Sequence, residues 1–390
     1  MSSLAGRILH LFANYKWTGP ADPAIRSAVQ MRALGCDVTF AQAGFVHRGG
    51  EHRVAEVLWQ RGLPVVSGLE LRKHFHVRSL LHDIAVLRSV LRRDRYELVH
   101  CHLPADHLLA TVACRLLPEA PAIVRTLYEP EAPERGWRET FAFRRTHGVI
   151  APTAAAWRGV QDRFGLAADR ILLQEPVTER RELEGGNLRT RWGIGAGPRV
   201  VGITARIQPH RRFDLLWATA RLVVDQVPGV RFVLLGRGNE EDTREHVTRP
   251  IERLGLAGHV LLPGYQTGPD YDAALRSLDV FLFLVPGSDG TCRAVCDAMA
   301  FGVPVVATQR GILPELLAAR RDGEVPGRAC PEAPEALATE IVRLLRNEPL
   351  RRQCGEAALR RARLDMDPRR AALRTLELYA RLLAERPGAG

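Results

Sequence analysis

The chain has 390 residues, 46% of them hydrophobic and 25% charged, which are ordinary values for a globular protein with room for two domains. Its formal charge of +11 rests on arginine, since Lys16 and Lys73 are the only lysines. The sequence has no zinc-finger pattern, aromatic RNA-binding signature or basic tail, so nucleic acid is not an expected partner. It also lacks an apolar run of roughly 18 residues and the order of a signal peptide. We therefore expect a cytoplasmic protein.

The opening of the chain predicts a βαβ unit. Residues 7–13 form an apolar strand, and Asp22 and Pro23 fit the N-cap and first position of a helix that ends at Gly35. Residues 37–42 fit a second strand. The sequence G-x-G-x-x-G is absent, so a nicotinamide cofactor is not expected. Seven cysteines without a C-x-x-C pair argue against a disulfide framework and a structural zinc site.

A basic amphipathic stretch occupies residues 71–96. Its arginines alternate with apolar residues spaced for one helix face, which predicts a helix that either covers the sheet or lies on an anionic membrane surface. The sheet-covering helix is the simpler explanation. His74 and His76 are alternate residues without a third ligand nearby, so we do not expect a metal site there.

A histidine-rich segment follows at the carboxyl end of the next predicted strand. His100, His102, Asp106 and His107 lie in residues 96–117, which predict a strand and a helix. Such a group is compatible with metal binding, with substrate hydrogen bonds or with plain packing.

The composition changes near residues 176–198 to Glu, Arg and Gly, which indicates a linker before a second series of strands and helices. Arg206 and Arg211 lie five residues apart on a predicted strand-to-helix loop. Two such cations can neutralise a diphosphate, although solvated loop arginines are common in so arginine-rich a chain. Arg212 is a candidate substitute for Arg211 as a diphosphate ligand.

Residues 278–307 organise the second half. They predict a buried strand, an acidic loop that contains glycine, a short helix and a second strand, with Gly302 where a helix-ending glycine belongs. In parallel sheets, ligands bind beyond the carboxyl ends of the strands. The loop is therefore the candidate site.

The start of that short helix predicts a phosphate site. Free amides of Thr291, Cys292 and Arg293 and the positive end of the helix dipole attract anions. Asp289 in the loop and Asp297 in the helix flank this position. The alternatives are that Asp289 is a capping acid and Asp297 a solvated helix residue.

Asp289 and residues 297–306 resemble the retaining glycosyltransferases of family 4, whose motif is Glu, seven residues, then Glu-Ala-Met-Ala-x-Gly-x-Pro-Val-Val. Both glutamates are aspartates here, so each carboxylate reaches one methylene less far. Residues 205–216 are similar to the family's Gly-Arg-Leu-x-Pro-x-Lys-Gly-x-Asp-x-Leu. The resemblance implies that Arg206 and Arg211 hold the donor diphosphate, Asp289 the donor sugar and Asp297 the ribose.

The resemblance implies further site residues. Donor contacts are expected at Gly19, Gly236, Gly264, Tyr265, Thr291, Cys292 and Arg293, and candidate cleft residues are Tyr128, His102, Arg212 and Glu315. The family often has Val-His-x-His around residue 102, so we interpret that segment as cleft wall and not as a metal centre. Two departures stand out. Tyr128 replaces a histidine near the donor sugar, and residues 175–178 replace Asn-Gly-Val-Asp.

The implied fold class is α/β, with the GT-B fold of two doubly wound, Rossmann-like domains that face each other across a cleft. We expect an acceptor-side domain at residues 1–180, a linker at 181–198, a nucleotide-sugar-binding domain at 199–366 and a last helix at 367–390 that crosses back to the first domain.

The implied function is that of a hexosyl-type glycosyltransferase. It would move a sugar from a nucleotide-sugar donor to a glycan, lipid-linked or small-molecule acceptor, with retention of configuration and without a metal or other cofactor. Peripheral contact with the anionic inner membrane face is a further hypothesis from the basic helix. The alternatives are a non-catalytic nucleotide-sugar-binding subunit, and a sugar-nucleotide epimerase or hydrolase on the same fold.

Overall fold

The computed structural model describes residues 6–44, 52–72, 76–179, 182–285, 292–320 and 323–386. These residues form two compact units. The first unit runs to Pro176 and resumes at Pro368, and the second extends from Val177 to Asp367. Among the helices of the described part, none has the length and apolarity needed to cross a membrane.

The first unit contains a parallel sheet of six strands in the order β2-β1-β3-β4-β5-β6. The strands are β1 (Arg7–Phe12), β2 (Val38–Gln42), β3 (Tyr96–Cys101), β4 (Ala122–Thr126), β5 (Gly148–Ala151) and β6 (Ile171–Leu173). The helices that accompany them are α1 (Ala21–Ala33), α2 (Arg53–Gln60), α3 (Val77–Asp94), α4 (Pro104–Arg115), α5 (Trp137–Phe143) and α6 (Ala154–Phe164).

The second unit repeats this plan with the order β12-β11-β10-β7-β8-β9. Its strands are β7 (Val200–Thr204), β8 (Arg231–Leu235), β9 (Val260–Gly264), β10 (Val280–Phe283), β11 (Val305–Thr308) and β12 (Gly327–Cys330). Its helices are α7 (Phe213–Gln226), α8 (Glu240–Thr243), α9 (Arg249–Arg253), α10 (Gly268–Arg276), α11 (Arg293–Ala300), α12 (Leu313–Leu317), α13 (Pro334–Arg346) and α14 (Glu348–Leu364). The last helix, α15 (Pro368–Ala384), belongs to the first unit.

Each sheet is buried on both faces, which explains the continuous apolar runs of its strands. In β1, Ile8 packs with Phe40 and Tyr379 on one face, whereas Leu9 packs with Leu87 on the other. Successive side chains of a strand point to opposite faces, so every position of a central strand is apolar or internally bonded. The prediction of two doubly wound α/β domains is confirmed.

Both sheets reverse their strand order at one place. The reversal lies between β1 and β3 in the first unit and between β7 and β10 in the second. The loops that leave two such strands diverge to opposite faces and open a crevice at the carboxyl edge, which is where ligands bind in open α/β sheets.

Helix α3 covers its sheet, as the simpler of the two explanations expected. Leu87, Val90 and Leu91 pack in the core of the first unit, while Val77 and Leu81 are 56% and 64% exposed. His76 caps the helix, because its Nδ1 accepts a hydrogen bond from the Ser79 amide at 3.3 Å. His74 lies outside the described residues.

Several boundaries differ from the expected ones. Helix α1 begins at Ala21, so Asp22 lies in its first turn, where it bonds Arg26 at 2.9 Å, and does not cap it. The segment expected to be a linker contributes Leu188 and Ile194 to the core of the second unit. The start of α1 therefore precedes the expected cap, and the glycine-rich segment is packed onto the second unit through two apolar side chains.

Candidate functional site

The carboxyl edge of the second sheet brings two expected arginines to the strand reversal. Arg206 is exposed and follows β7 by two residues. Arg211 ends a short 3₁₀ turn, and its Nη1 donates to the carbonyl oxygen of Val285, just after β10, at 3.3 Å. The loop after β7 is thus tied to the end of β10, which is the neighbouring strand across the reversal.

Arg212 is held differently from its neighbour. It adopts a left-handed backbone conformation with φ of 57°. Its guanidinium donates to Asp214 at 3.1 Å and to Glu332 at 2.8 Å, and Glu332 also binds Arg310. Hydrogen bonds from Arg310, with its charge and that of Arg212, lower the pKa of Glu332. Arg212 is therefore neutralised by two carboxylates.

Asp297 is buried in the middle of α11 and is 2% exposed, so it is not a solvated helix residue. Its Oδ1 accepts a hydrogen bond of 2.9 Å from the Thr178 hydroxyl. The Nε of Arg293 lies 3.7 Å from its Oδ2, on a side chain that is 54% exposed. Cys292, the left-handed N-cap of α11, is 2% exposed. Among the described residues, these four surround the start of α11.

Two expected residues cannot be placed beside them. Asp289 and Thr291 lie outside the described residues. Their roles as sugar contact and phosphate-binding amide stay predictions.

The glycines of the edge are explained in part by the fold. A Cβ at Gly236 would lie 1.8 Å from the Ala205 carbonyl oxygen, so backbone approach inside the unit requires glycine there. Gly264 has a φ of +81°, and its carbonyl oxygen accepts a hydrogen bond from the Gly236 amide at 3.2 Å. In the first unit, Gly19 is half-buried in the loop between β1 and α1. Close packing accounts for Gly236 without any ligand.

Two further expected residues lie near this edge of the second sheet. Tyr265 follows β9, is 59% exposed, and has the Arg237 guanidinium 4.9 Å from its ring centroid. Glu315 is a half-buried residue in the first turn of α12, where a carboxylate favours the helix dipole. Tyr265 thus offers an aromatic face beside a cation.

The first unit carries a buried histidine cluster at its own strand reversal. His10 of β1 is the register partner of His100 of β3, and His102 follows β3 on the same face. The Nδ1 of His10 lies 2.9 Å from the Nε2 of His102, and His100 is hydrogen-bonded to Thr126 and Tyr379, each at 2.6 Å. Burial lowers the pKa of His10 to about 3 and the pKa values of the other two rings well below 6.5.

The spacing of these rings would admit a metal ion, because one nitrogen from each lies within 4.8 Å of the others. Hydrogen bonds to protein groups nevertheless engage five of the six ring nitrogens, and His10 Nε2 is the sixth. The geometry therefore fits a packed, neutral hydrogen-bond network.

Tyr128 and His102, expected in the cleft wall, belong to this network. The Tyr128 hydroxyl is 2.7 Å from His102 Nδ1, and the side chains are 9% and 1% exposed. Burial raises the pKa of Tyr128, so even less of it is present as phenolate at neutral pH than for a free tyrosine. The hydroxyl of Tyr128 is thus used inside the unit.

The other members of the histidine-rich segment lie apart. Asp106 accepts hydrogen bonds from the amides of Ala13 and Leu103 at 3.1 and 2.9 Å, and so caps α4. Burial raises its pKa to about 7, against the opposing charge of Arg125 at 3.6 Å. His107 is hydrogen-bonded to Thr146 at 2.8 Å. The four residues therefore do not form one site.

Sequence reasoning missed four polar groups at these edges: His10, Thr178, Arg310 and Glu332. His10 is hidden in an apolar strand. Thr178 bonds a residue 119 positions away. Glu332 and Arg310 lie just after β12 and β11. Their positions beyond the carboxyl ends of two strands could have marked them as candidate site residues in the sequence.

Comparison with known proteins identifies the family. The family model described as Glycosyltransferase Family 4 matches residues 24–173, and the model described as Glycosyl transferases group 1 matches residues 186–361. Together the two matches cover most of both units.

Individual relatives agree with the family models. The phosphatidyl-myo-inositol mannosyltransferase of Mycobacterium leprae is 34% identical over 42% of this chain and 42% of its own length. The N-acetyl-alpha-D-glucosaminyl L-malate synthase of Bacillus anthracis is 22% identical over 71% of this chain and 73% of its own. The match to the mannosyltransferase thus spans about two fifths of that relative.

The fold is shared with solved structures. Anabaena HepE, crystallised in complex with UDP, superposes with a TM-score of 0.79 at 19% identity, over 96% of this chain and all of that one. This likeness concerns the fold, which is the GT-B fold that the sequence resemblance implied. With both family models matched in order along the chain, the protein belongs to the glycosyltransferases of family 4.

Proposed function

We propose that the protein transfers a glycosyl group from a nucleotide-sugar donor to an acceptor, with retention at the anomeric carbon and without a metal ion. The observation that carries this proposal is the hydrogen bond from Arg211 to Val285, because it holds a cation at the strand reversal, at the carboxyl end of β10. Anionic ligands bind at such positions in open α/β sheets.

The arginines supply the chemistry that such a transfer needs. The bond between the anomeric carbon and a donor phosphate oxygen breaks and negative charge grows on the departing diphosphate, while the acceptor oxygen bonds to the anomeric carbon and gives its proton to that diphosphate. Arg206 and Arg211 stabilise that charge by charge-assisted hydrogen bonds. Since these cations belong to the protein, the proposal requires no metal.

Asp297 is proposed to bind the ribose of the nucleotide. An ionised carboxylate accepts hydrogen bonds from hydroxyl groups and repels phosphate, so it suits a diol beside the diphosphate. Asp289 is proposed to contact the sugar. Arg212 is a weaker candidate for the diphosphate than Arg211, because Asp214 and Glu332 already engage its guanidinium.

The comparisons support a nucleotide-sugar donor and leave the acceptor open. HepE was crystallised with UDP, and another structure of it contains UDP-glucose. The names of the relatives refer to unlike acceptors, phosphatidyl-myo-inositol and L-malate. We therefore assign the donor class to this protein and no acceptor.

A thermal-shift panel tests the donor site. The purified protein is mixed with UDP, GDP, ADP and dTDP sugars in the presence of EDTA. We expect one nucleotide series to raise the Tm, since a ligand at about 100 times its Kd stabilises a protein by about 2.7 kcal/mol. Asp297→Asn should reduce that shift. Arg249→Ala, at a 62% exposed side chain that bonds Glu245, should retain it.

The outcomes separate the alternatives. No shift with any donor contradicts the proposal. A shift without turnover in the presence of acceptor mixtures indicates a nucleotide-sugar-binding subunit, and donor consumption without acceptor indicates an epimerase or hydrolase. If a product forms, NMR of its anomeric proton shows whether configuration is retained.

Membrane contact remains a separate hypothesis. It rests on the exposed arginines of α3, which are Arg78, Arg92 and Arg93. Co-sedimentation with anionic and neutral vesicles at low salt tests it. Equal sedimentation with both would contradict it.

A further inference from the structure

Thr178 lies where the chain enters the second unit, and its backbone is fixed there. Its amide donates to the carbonyl oxygen of Met366 at 2.9 Å, next to the point where the chain leaves the same unit. Thr178 and Met366 are 4% and 0% exposed. The hydroxyl of Thr178 is therefore presented from a rigid, buried position.

That hydroxyl meets the carboxylate assigned to the ribose. Thr178 Oγ1 donates to Asp297 Oδ1 at 2.9 Å. A hydrogen bond from a neutral donor to an ionised acceptor is stronger than one between neutral groups, and burial strengthens it further. Rotation of the Asp297 carboxylate would break this bond, so the bond fixes the orientation of the carboxylate.

We propose that Thr178 is a positioning residue, which orients the Asp297 carboxylate toward the ribose hydroxyls of the donor nucleotide. This inference rests on the proposed function. An ionised carboxylate has about four acceptor positions, and the bond from Thr178 uses one of those on Oδ1. The exposed Arg293 guanidinium, 3.7 Å from Oδ2, is near the other side of the carboxylate.

Two departures from the family pattern meet at this bond. Asp297 stands where the family has the longer glutamate, and Thr178 stands where the family's Asn-Gly-Val-Asp segment ends in an aspartate. A carboxylate at position 178 would repel a carboxylate at hydrogen-bonding distance, whereas a hydroxyl donates to it. Threonine therefore suits the shorter acid in this chain.

Matched substitutions isolate the hydroxyl. Thr178→Val keeps the shape and removes the donor, and Thr178→Ser keeps the donor and removes a methyl group. The probes are UDP, GDP and ADP with their 2′-deoxy forms, titrated by calorimetry. For the preferred base, we expect wild type and Thr178→Ser to favour the ribonucleotide, and Thr178→Val to bind it about tenfold more weakly.

The 2′-deoxy forms provide a readout that a purely structural role would not change. Thr178→Val should weaken binding of the ribonucleotide more than that of the deoxynucleotide, so the ratio of the two Kd values should move toward one. With the preferred sugar donor, KM should rise more than kcat falls. An equal weakening of both nucleotides would overturn the inference.

A double-mutant cycle ties the effect to Asp297. In an Asp297→Asn background, Thr178→Val should change nucleotide Kd less than twofold, since the partner charge is gone. A tenfold effect that persists there contradicts the inference. If wild type binds none of the nucleotides, the proposed function fails first. If wild type binds and Thr178→Val binds equally well, only the positioning role fails.

Discussion

The carboxyl edges of the two sheets have the same topology and opposite chemistry. At the reversal in the first unit, neutral rings and hydroxyls are buried and bond one another, as His102 does with His10 and Tyr128. At the reversal in the second unit, the polar groups are charged, and Arg206 is exposed. The first edge is therefore part of a core, whereas the second presents an exposed cation, which the proposed function assigns to the donor diphosphate.

Burial is the physical cause of this difference. A group without charge can be buried once its hydrogen bonds are satisfied, whereas a buried charge needs a partner. The neutral edge should accordingly govern the stability of the first unit, and the cationic edge should govern donor use. Each of the following experiments acts on one edge and is compared with the other.

The largest effect is expected from the cations of the second edge. Arg206→Ala and Arg211→Ala should each lower kcat/KM for the preferred donor about a hundredfold, because each removes a charge-assisted contact to the leaving diphosphate. Steady-state kinetics measures this, and the Tm should change little. Turnover within twofold of wild type in both variants would contradict the assignment.

The next effect is a pH dependence of the first unit. Burial lowers the pKa values of four histidines in the folded state: His10, His100, His102 and His107. Below about pH 6.5, these histidines therefore bind protons in the unfolded chain and stay neutral in the folded chain. Stability is fully present above that pH and falls as the pH drops. Asp106, with a pKa raised to about 7, opposes this, as do Asp83 and Glu139, whose pKa values burial also raises.

Hydrogen exchange read by mass spectrometry separates the two units. Between pH 7 and pH 5, after correction for intrinsic exchange, amides of β1 and β3 should lose protection on the order of 3 kcal/mol. Amides of β7 and β10 should lose less, because His210, His246 and His259 of the second unit are exposed or half-buried. Equal losses in both units would remove the contrast.

A smaller effect is expected from His102→Leu. The substitution leaves His10 Nδ1 and the Tyr128 hydroxyl buried without their partner, which should lower the free energy of unfolding by about 2 kcal/mol. Tyr128→Phe removes one of these bonds and should lower it by about 1 kcal/mol. Urea titrations measure both. Nucleotide binding should be retained, and its loss would assign His102 to the donor site.

The order of elements in the fold could be predicted from sequence because the apolar strand pattern is strong. The short edge strand β12 was missed, since four residues give little pattern. A Cβ at Gly327 would lie 1.8 Å from the Val305 carbonyl oxygen. The need for glycine there arises only once β12 pairs with β11, so the sequence alone does not reveal it. The central strands of each sheet were predictable, because burial on both faces makes their sequences continuously apolar.

The candidate site was predictable in residue type and less so in geometry. Arg211 and Arg212 are neighbours in sequence, yet Arg211 bonds the Val285 carbonyl oxygen and Arg212 bonds two carboxylates. Asp297 was expected, but its bond to Thr178 joins distant segments. Buried histidines such as His10 have no sequence signal, because a central strand hides them among apolar residues.

The hydrogen bond between Thr178 and Met366 bears on whether the second unit can be exchanged between related proteins. It brings the two ends of the segment 177–367 together, which is the geometry of a domain inserted into a host chain. Such a segment can be excised or swapped without stretching either junction. Under the proposed function, exchange of this segment between related chains is a direct way to ask whether the second unit sets donor preference.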